Sequence, residues 1–482
     1  LWHDDYIVKP FRIFNTLTRT VEEIKPGHPP DVTYYSCGPT VYLPQHLGNM
    51  RAYVFVDTLK RALRFNGWNV RHVMNITDVG HMTSDADAGE DKIEKTARAE
   101  GKSPLEVANF YIEQFKRDCA RLNVELPEPP LLCRATDHVG DMIALIERIL
   151  RNGLAYVTPS GVYFDVEKWR GPGGRGRLSR QNLDEQQGSR LEHSPDKKSP
   201  HDFALWVLNQ PHHMMQWDSP WGRGYPGWHI ECSAMSMKYL GETLDIHSGG
   251  LDHIPVHHEN EIAQSEGATR QPFVRYFVHN AFLVGMEGAK ISKSAGKFPV
   301  LDDLIKEGID PLAFRLLCLG AKYRSELAFS LDAVRAAQKN LDYLNEFARV
   351  VPEEDLERPD AEWTWVYRER FHDALNHDLN TPEALAAVLE MVGEAYRRHD
   401  RKIWKTLREL DGQVLGLNLQ SSLEQALTGL PPSAVQQLTR EREEARAAKD
   451  FARSDQLRRE IEALGYTVKD TKVGPMLSPR RI

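Results

Sequence analysis

"VTYYSCGPTVYLPQHLGNMRAYVFVDTLKRALRFNGWNVRHVMNITDV", Val32 to Val79, decides the fold class. A short β-branched and aromatic run, Val32 to Gly38, ends in Gly-Pro, the pattern of a strand closed by a turn. After a brief loop, Phe55, Leu59, Ala62 and Leu63 recur at helical spacing, and Gly67 supplies a stop. "VRHVMNITDV" follows at once as a second strand. Strand, helix and strand with short connections open a parallel α/β sheet.

The pattern then changes several times. Residues from about Glu90 to Asn152 read as helical, and "LAYVTPSGVYFDV" reads as a hairpin with Pro-Ser-Gly at its tip. "RGPGGRGR" and "HSPDKKSPHD" are turn-rich and basic, which marks an insertion into the sheet. "LDIHSGG" (Leu244 to Gly250) resumes the α/β pattern, followed by the helix "HHENEIAQSEG" and the strand "VRYFVHNAFLVG". "VPEEDLERPD" is a linker before amphipathic helices between about Glu362 and Leu419. "TGLPPS" marks another boundary, and the block from Ala434 reads as one charged helix with a short β-like end.

Length and composition set bounds. A chain of 482 residues exceeds one ordinary core, so two to four domains are expected. Hydrophobic content of 41% with 27% charged residues is that of a globular protein, and no apolar run reaches the roughly 18 residues a membrane span needs. The opening "LWHDDYIVKPFRIFNT" lacks the layout of a secretory signal. Five scattered cysteines without a CxxC point to reduced thiols and a cytoplasmic location. Net charge of -8 argues against indiscriminate nucleic-acid binding. Positive charge is local: Ala434 to Ile482 holds eleven Lys and Arg against eight Asp and Glu, and Arg397, Arg398, Arg401, Lys402, Lys405 and Arg408 form a basic stretch expected on a helix. Without other information both are solvated helix surfaces.

Two constellations carry chemistry. In "HIPVHHENEIAQSE" (His253 to Glu266), His257 and Glu261 stand i and i+4 on one helix face, a spacing that suits two ligands of one ion. Alone, such a pair is more often a solvated face. Cys37, however, stands at the carboxyl end of the first strand, where open α/β sheets place their ligands. Cys232, in "GYPGWHIECSAMS", shortly precedes the strand that leads to His257. Two thiolates, an imidazole and a carboxylate make a tetrahedral zinc site. Cys119, Cys133 and Cys318 read as small buried hydrophobes. The second constellation handles phosphate. "HLGN" (His46 to Asn49) opens the first helix, whose free N–H groups favour an anion. "AKISKSAGKF" offers Lys290 and Lys293 on a Ser/Gly loop, either a solvated loop or a clamp for a pyrophosphate leaving group.

"SCGPTVY…HLGN", "NITDV", "DFALW", "GWHIECSAMS", "HHENEIAQSE", "KISKS" and "LNTPEAL" occur in the order found in cysteinyl-tRNA synthetase, a class I aminoacyl-tRNA synthetase, and the chain resembles that family over nearly its whole length. "HLGN" resembles the HIGH signature and "KISKS" the KMSKS signature. The resemblance implies an α/β fold: a class I Rossmann-like parallel sheet split by an insertion, then an α-helical bundle and a small C-terminal anticodon-binding domain. Its expected extents are residues 1–135 and 206–300 for the catalytic halves, 136–205 for the insertion, 301–350 for stem contact, 351–430 for the bundle and 431–482 for anticodon binding.

The family's zinc ligands fall on Cys37, Cys232, His257 and Glu261, one ion per chain, with His258 and Glu259 in structural or secondary contacts. The resemblance puts Gly38, Thr40, Asn75, Thr77, Trp228 and Asp252 around L-cysteine. His46, Gly48, Asn49, Gly249, Gly250, Lys290 and Lys293 would face ATP and its Mg2+, with His46, Asn49, Lys290 and Lys293 acting in the chemistry. The implied reaction joins L-cysteine to its tRNA through a cysteinyl-adenylate, in a monomer without membrane contact. Zinc would bind the substrate thiol and select it over serine. The sequence departs from the family at Asn49, Ile291 and Lys297, and at Gly80 and His81, where aspartates are usual. Two rivals stand beside this reading: a cysteine ligase of the same fold from mycothiol synthesis, which lacks an anticodon block, and an idle relative, which would be expected to lose His46 or Lys293.

Overall fold

The computed structural model describes residues 9–79, 91–169, 176–180, 196–285, 299–356, 358–428, 433–464, 466–471 and 474–479. Two compact units divide the chain: Leu1–Arg335 with Asp373–Pro382, and Ala336–His372 with Glu383–Ile482.

The first unit begins with the hairpin β1 (Arg12–Asn15) and β2 (Thr20–Glu23). Next come β3 (Asp31–Ser36), α1 (Leu47–Phe65) and β4 (Asn69–Ile76), the strand, helix and strand legible in the opening stretch. Phe55, Leu59, Ala62 and Leu63 are all buried. The region expected to be helical holds α2 (Lys92–Glu100), α3 (Pro104–Arg121) and α4 (Val139–Arg151). It also holds β5 (Leu132–Arg134), which the sequence did not reveal because three residues are too few to display a period.

The expected hairpin forms as β6 (Ala155–Thr158) and β7 (Gly161–Phe164), and β8 (Phe203–Leu208) and β9 (Gly224–Pro226) extend it into a four-stranded antiparallel sheet. The chain then returns through α5 (Trp228–Leu240), β10 (Leu244–Gly250), α6 (Glu259–Thr269) and β11 (Val274–Asn280).

Two expectations need correction here. The helix through His257 starts as a π turn over Ile254–His258, and the α-helix proper begins at Glu259. The strand through Val274 breaks after Asn280: the Ala281 N–H bonds the Tyr323 carbonyl, and β12 (Leu283–Gly285) turns away to pair with β13 (Leu327–Phe329). Between them lie α7 (Leu301–Lys306) and α8 (Pro311–Leu319).

Strand order in the central sheet is β11-β10-β3-β4-β5, and all four pairings are parallel. The first of these strands in the chain, β3, is therefore flanked by β4 on one side and β10 on the other. That reversal of winding direction opens a crevice beyond the carboxyl ends of β3 and β10. Cys37 lies there, its N–H bonded to the Ser248 carbonyl at 3.3 Å.

Helix α1 is buried on more than its apolar stripe. Asp57, within it, accepts from Arg315 at 2.7 Å, from Arg61 at 2.8 Å and from the Glu125 N–H at 3.0 Å. This buried ionic knot ties α1 to α8 and to the segment after α3.

The second unit takes in parts of α9 (Leu331–Arg349), α10 (Trp365–Asn376) and α11 (Thr381–Arg398), with α12 (Trp404–Leu410) and α13 (Leu419–Thr428). Leu344, Phe347, Val388, Met391, Trp404 and Leu407 form its buried interior. The basic stretch is not one helix. It breaks at His399, which has φ of 53°, and its side chains have partners: Arg397 and Arg398 both reach Glu394 at 2.6 Å, and Arg401 donates to the Val350 carbonyl. The terminal block has two helices rather than one, α14 (Ser433–Ala447) and α15 (Phe451–Ala463), because Lys449 turns left-handed and Asp450 caps the second. The hairpin β14 (Tyr466–Thr471) and β15 (Gly474–Pro479) follows. Arg442 lies 2.8 Å from Asp470 and joins α14 to that hairpin.

Candidate metal and nucleotide site

Three distant parts of the chain meet in the crevice. Cys37 follows β3, Cys232 lies in α5, His257 lies in the π turn and Glu261 lies in the first turn of α6. Their ligand atoms all fall within 4.8 Å of one another. His257 Nε2 is 3.0 Å from Glu261 Oε1, so the i, i+4 spacing survives the change of helical type. All but Cys37 are buried.

The donor chemistry fits a borderline-soft cation. Glu261 Oε1 is buried and makes no aligned hydrogen bond although His257 Nε2 is 3.0 Å away, a place that a cation between the two would satisfy. The ionisation pattern points the same way. A hydrogen bond from Cys37 lowers the Cys232 thiol to about 6, and the reciprocal bond raises Cys37. Burial would lower His257, but Glu261 and the Cys232 thiolate raise it to about 10. Burial likewise opposes Glu261, whose carboxyl is nevertheless held down to about 2 by His247 and His257. Two anions, the Cys232 thiolate and the Glu261 carboxylate, thus share one protonated imidazole.

Around the cluster stands a histidine shell of which sequence reasoning named only His258. His247 Nε2 bonds Glu261 Oε2 at 2.9 Å, His229 Nδ1 meets His257 Nδ1 at 2.8 Å, and His258 bonds His279 at 2.8 Å. Such contacts fix ring orientation and tautomer of first ligands. Cys37, His247, His258 and Glu261 form a second group within the same 4.8 Å limit, sharing two members with the first. His247 and His279 sit on β10 and β11, 14 and 21 residues from Glu261 and His258, and no spacing rule links a strand histidine to a helix across such a connection. Glu259 has a structural task instead, accepting from the N–H groups of Gly176, Leu178 and Ser179. Cys119, Cys133 and Cys318 are buried, with thiols raised chiefly by burial.

Among the residues expected around the amino acid, Gly38, Asn75, Thr77 and Thr40 are joined to one another and Trp228 touches the metal cluster. The Gly38 N–H donates to Asn75 Oδ1 at 2.8 Å, and the Asn75 amide donates to Thr77 Oγ1 at 3.1 Å. A Cβ at Gly38 would collide with the Asn75 carbonyl, so only glycine permits this approach. Thr40 bridges Thr77, and Trp228 packs on His257 with ring centroids 4.5 Å apart. Asp252 is exposed and lies against Gly250. A Cβ at Gly249 would come within 2.6 Å of His253 Nδ1, so that stretch of β10 also admits no side chain.

At the start of α1, His46 is the N-cap. Its Nδ1 accepts from the Asn49 N–H at 3.2 Å, which leaves the ring proton on Nε2, the tautomer that donates outward. Leu47 N–H bonds the Pro299 carbonyl, and His46 bridges Val300, so the chain re-enters the described residues beside this helix end. Lys290, Lys293 and Lys297, like Gly80 and His81, lie outside the described residues.

Comparison with known proteins gives the family. Residues 23–339 match the family described as tRNA synthetases class I (C) catalytic domain, residues 370–420 the DALR domain, and residues 428–474 the cysteinyl-tRNA ligase anticodon binding domain. Cysteine–tRNA ligase 1 of Burkholderia lata is 46% identical over 470 residues, covering 97% of both chains. The cysteine–tRNA ligase of Chlorobaculum tepidum is 43% identical over 491 residues, 97% of this chain and 99% of that protein.

The chain belongs to the cysteinyl-tRNA synthetase family.

It is a class I aminoacyl-tRNA synthetase, a cysteine–tRNA ligase, as the resemblance implied. The anticodon-domain match removes the rival ligase that lacks such a block. Among solved structures, methionyl-tRNA synthetase of Mycobacterium tuberculosis with methionyl-adenylate aligns over 84% of this chain and 94% of that one, with a TM-score of 0.60 at 14% identity. That likeness shows the shared class I synthetase fold. A synthetase of this family has tRNA, an amino acid and ATP as partners. No described helix is long and apolar enough to cross a membrane.

Proposed function

We propose that this cysteinyl-tRNA synthetase activates L-cysteine through a cysteinyl-adenylate and holds one zinc ion on Cys37, Cys232, His257 and Glu261. In the first step a carboxylate oxygen of cysteine bonds the ATP α-phosphorus, the bond to the bridging oxygen breaks, and pyrophosphate leaves. In the second, the terminal ribose hydroxyl of the tRNA takes the cysteinyl group and AMP leaves. Zinc, when bound, supplies a Lewis acid that favours a thiolate over the far less acidic hydroxyl of serine. An apolar pocket separates such near-isosteres by only about a hundredfold.

The remaining work falls to the chain's own groups. Gly38, Thr40, Asn75, Thr77, Trp228 and Asp252 orient the amino acid. Gly48 and Asn49 at the start of α1, with Gly249 and Gly250 at the end of β10, receive the nucleotide. His46, with its proton on Nε2, donates to oxygens whose charge grows during transfer. Lys290 and Lys293 neutralise the departing pyrophosphate and Mg2+ accompanies ATP. The terminal block binds the anticodon region of tRNA for cysteine, and the enzyme acts as a cytoplasmic monomer. Convergence of two thiols, an imidazole and a carboxylate within 4.8 Å, at the switch point of a parallel sheet, carries this reading.

Aminoacylation with cysteine against serine, before and after chelation, tests it. Chelation should abolish cysteinylation and zinc should restore it. X-ray absorption should show an added Zn–S contact with cysteine, and an unchanged sulfur count would remove the selectivity argument.

A further inference from the structure

Arg51 stands two residues beyond Asn49, in the second turn of α1, and is only 3% exposed. Among the described residues its partners are three backbone carbonyls, those of Phe282, Ser325 at 2.6 Å and Lys322 at 3.5 Å, and no carboxylate pairs with it. A buried charge without a counter-charge is costly. What a guanidinium offers in return is a planar fork of donors that grips several carbonyls at once.

The gripped carbonyls mark the place where the chain leaves the central sheet. Beyond β11 the Ala281 N–H turns to the Tyr323 carbonyl, and Phe282 begins the departure into β12. The Phe282 carbonyl takes the Leu327 N–H at 3.0 Å as well as Arg51, so one oxygen joins α1 to the start of the β12–β13 pair. Ser325 lies just ahead of β13. One turn farther along α1, Phe55 stacks on Tyr323 with ring centroids 4.9 Å apart.

In the sequence β12 is followed by Lys290 and Lys293, and the described residues resume at Pro299. There the Leu47 N–H donates to the Pro299 carbonyl at 2.9 Å, and His46 bridges Val300. Both ends of the stretch that contains the two lysines are thus fastened to the start of α1. Backbone groups fasten the returning end. The leaving end depends on the side chain of Arg51.

We propose that Arg51 is a positioning residue for adenylate formation: by gripping the Phe282 and Ser325 carbonyls it holds β12 in fixed register with the His46–Asn49 end of α1. The inference rests on the pyrophosphate-neutralising role proposed above for Lys290 and Lys293, and adds the residue that anchors the strand preceding them.

The test is a double-variant cycle. A cavity of about 20 Å3 lies against Arg51, lined also by Phe55, Cys318 and Tyr323, and has room for a water. Arg51→Lys keeps the charge but not the fork, and a water there serves a carbonyl that the ammonium does not reach. In cysteine-dependent ATP–pyrophosphate exchange, Arg51→Lys should lower kcat by about 10- to 100-fold, the cost of a misplacement of about 1 Å. KM for cysteine should stay within about twofold, since the amino acid keeps its contacts. Zinc content should not change. In a Lys293→Ala background the same substitution should cost less than about threefold, because the group it misplaces is gone.

A repeat of the full loss in that background would make Arg51 a general structural staple and overturn the proposal. So would an unchanged kcat, or a fall in kcat no larger than the fall in folded protein read by urea unfolding. Lys293→Ala alone tests the lysine: if it leaves exchange unchanged, that reading fails and this proposal with it. If Arg51→Lys does not fold, Arg51→Gln, which keeps two N–H donors, enters the same cycle, and additive losses overturn the proposal equally.

Discussion

Asp57→Ala should destabilise the catalytic unit by about 4 kcal/mol, because it strips the acid from a buried ionic knot. The side chains of Asp57 and Arg315 are wholly buried, and those of Lys60 and Arg61 nearly so. Arg315 loses its 2.7 Å bond and keeps two backbone carbonyls, those of Leu122 and Asn123. Arg61 loses its 2.8 Å bond and keeps Glu125 and the Asn123 carbonyl. The Glu125 N–H loses its acceptor outright. Two charge-assisted bonds at about 1.5–3 kcal/mol each, less what the remaining partners recover, give the same scale.

Burial alone would raise the Asp57 carboxyl, but Arg315, Arg61 and Lys60 hold it below the usual carboxylate range. Its contribution is therefore present above the ordinary carboxylate range and disappears as pH falls through the lowered folded-state value. Urea unfolding followed by near-ultraviolet circular dichroism, with cysteine-dependent exchange measured on the same samples, checks the magnitude. Arg315→Met should cost less, about 2 kcal/mol, because Asp57 keeps Arg61 and the Glu125 N–H. The pair Asp57→Leu with Arg315→Met should recover part of the loss, as an apolar contact replaces the pair. A loss below about 1 kcal/mol for Asp57→Ala, or strict additivity in the double variant, would refute this account of how α1 is held.

Other consequences follow from the same structure. Cys232→Ser should lose most bound zinc, read by metal analysis, and should depress cysteine-dependent exchange far more than it changes nucleotide affinity. His213 lies 2.9 Å from Glu94 and 3.7 Å from Asp91; burial opposes its charge, but the two acids raise it to about 9. A raised imidazole stabilises fully below the unfolded-state value near 6.5 and ceases to do so as pH rises through about 9, so wild-type stability should fall across that window and His213→Gln should flatten the fall. Deletion from Ser433 onward should weaken tRNA charging much more than ATP–pyrophosphate exchange, and an equal loss of both would count against an anticodon-binding role. Gly38→Ala should abolish cysteine activation, since the added methyl meets the Asn75 carbonyl, and preserved activity would show that β4 can yield there.

Local pattern made a good part of this protein legible. Branched and aromatic runs announced β3, β4 and β10, the periodic apolar residues announced α1, and Pro-Ser-Gly announced the hairpin of β6 and β7. Cys37, Cys232, His257 and Glu261 could be assembled from donor chemistry and strand ends before any coordinates. The strand and helix readings succeed because side-chain direction repeats along a helix or strand, so spacing alone reports which residues share a face.

Other features were decided only by the folded chain. β5 is too short to have a period, and the strand after Val274 divides because its continuation pairs elsewhere. The histidines behind the metal cluster, the ionic knot on α1 and the grip of Arg51 are contacts between segments as many as 274 residues apart. No rule of spacing links such residues. Strand order brings them together, and burial then gives each polar atom left without a partner its energetic weight.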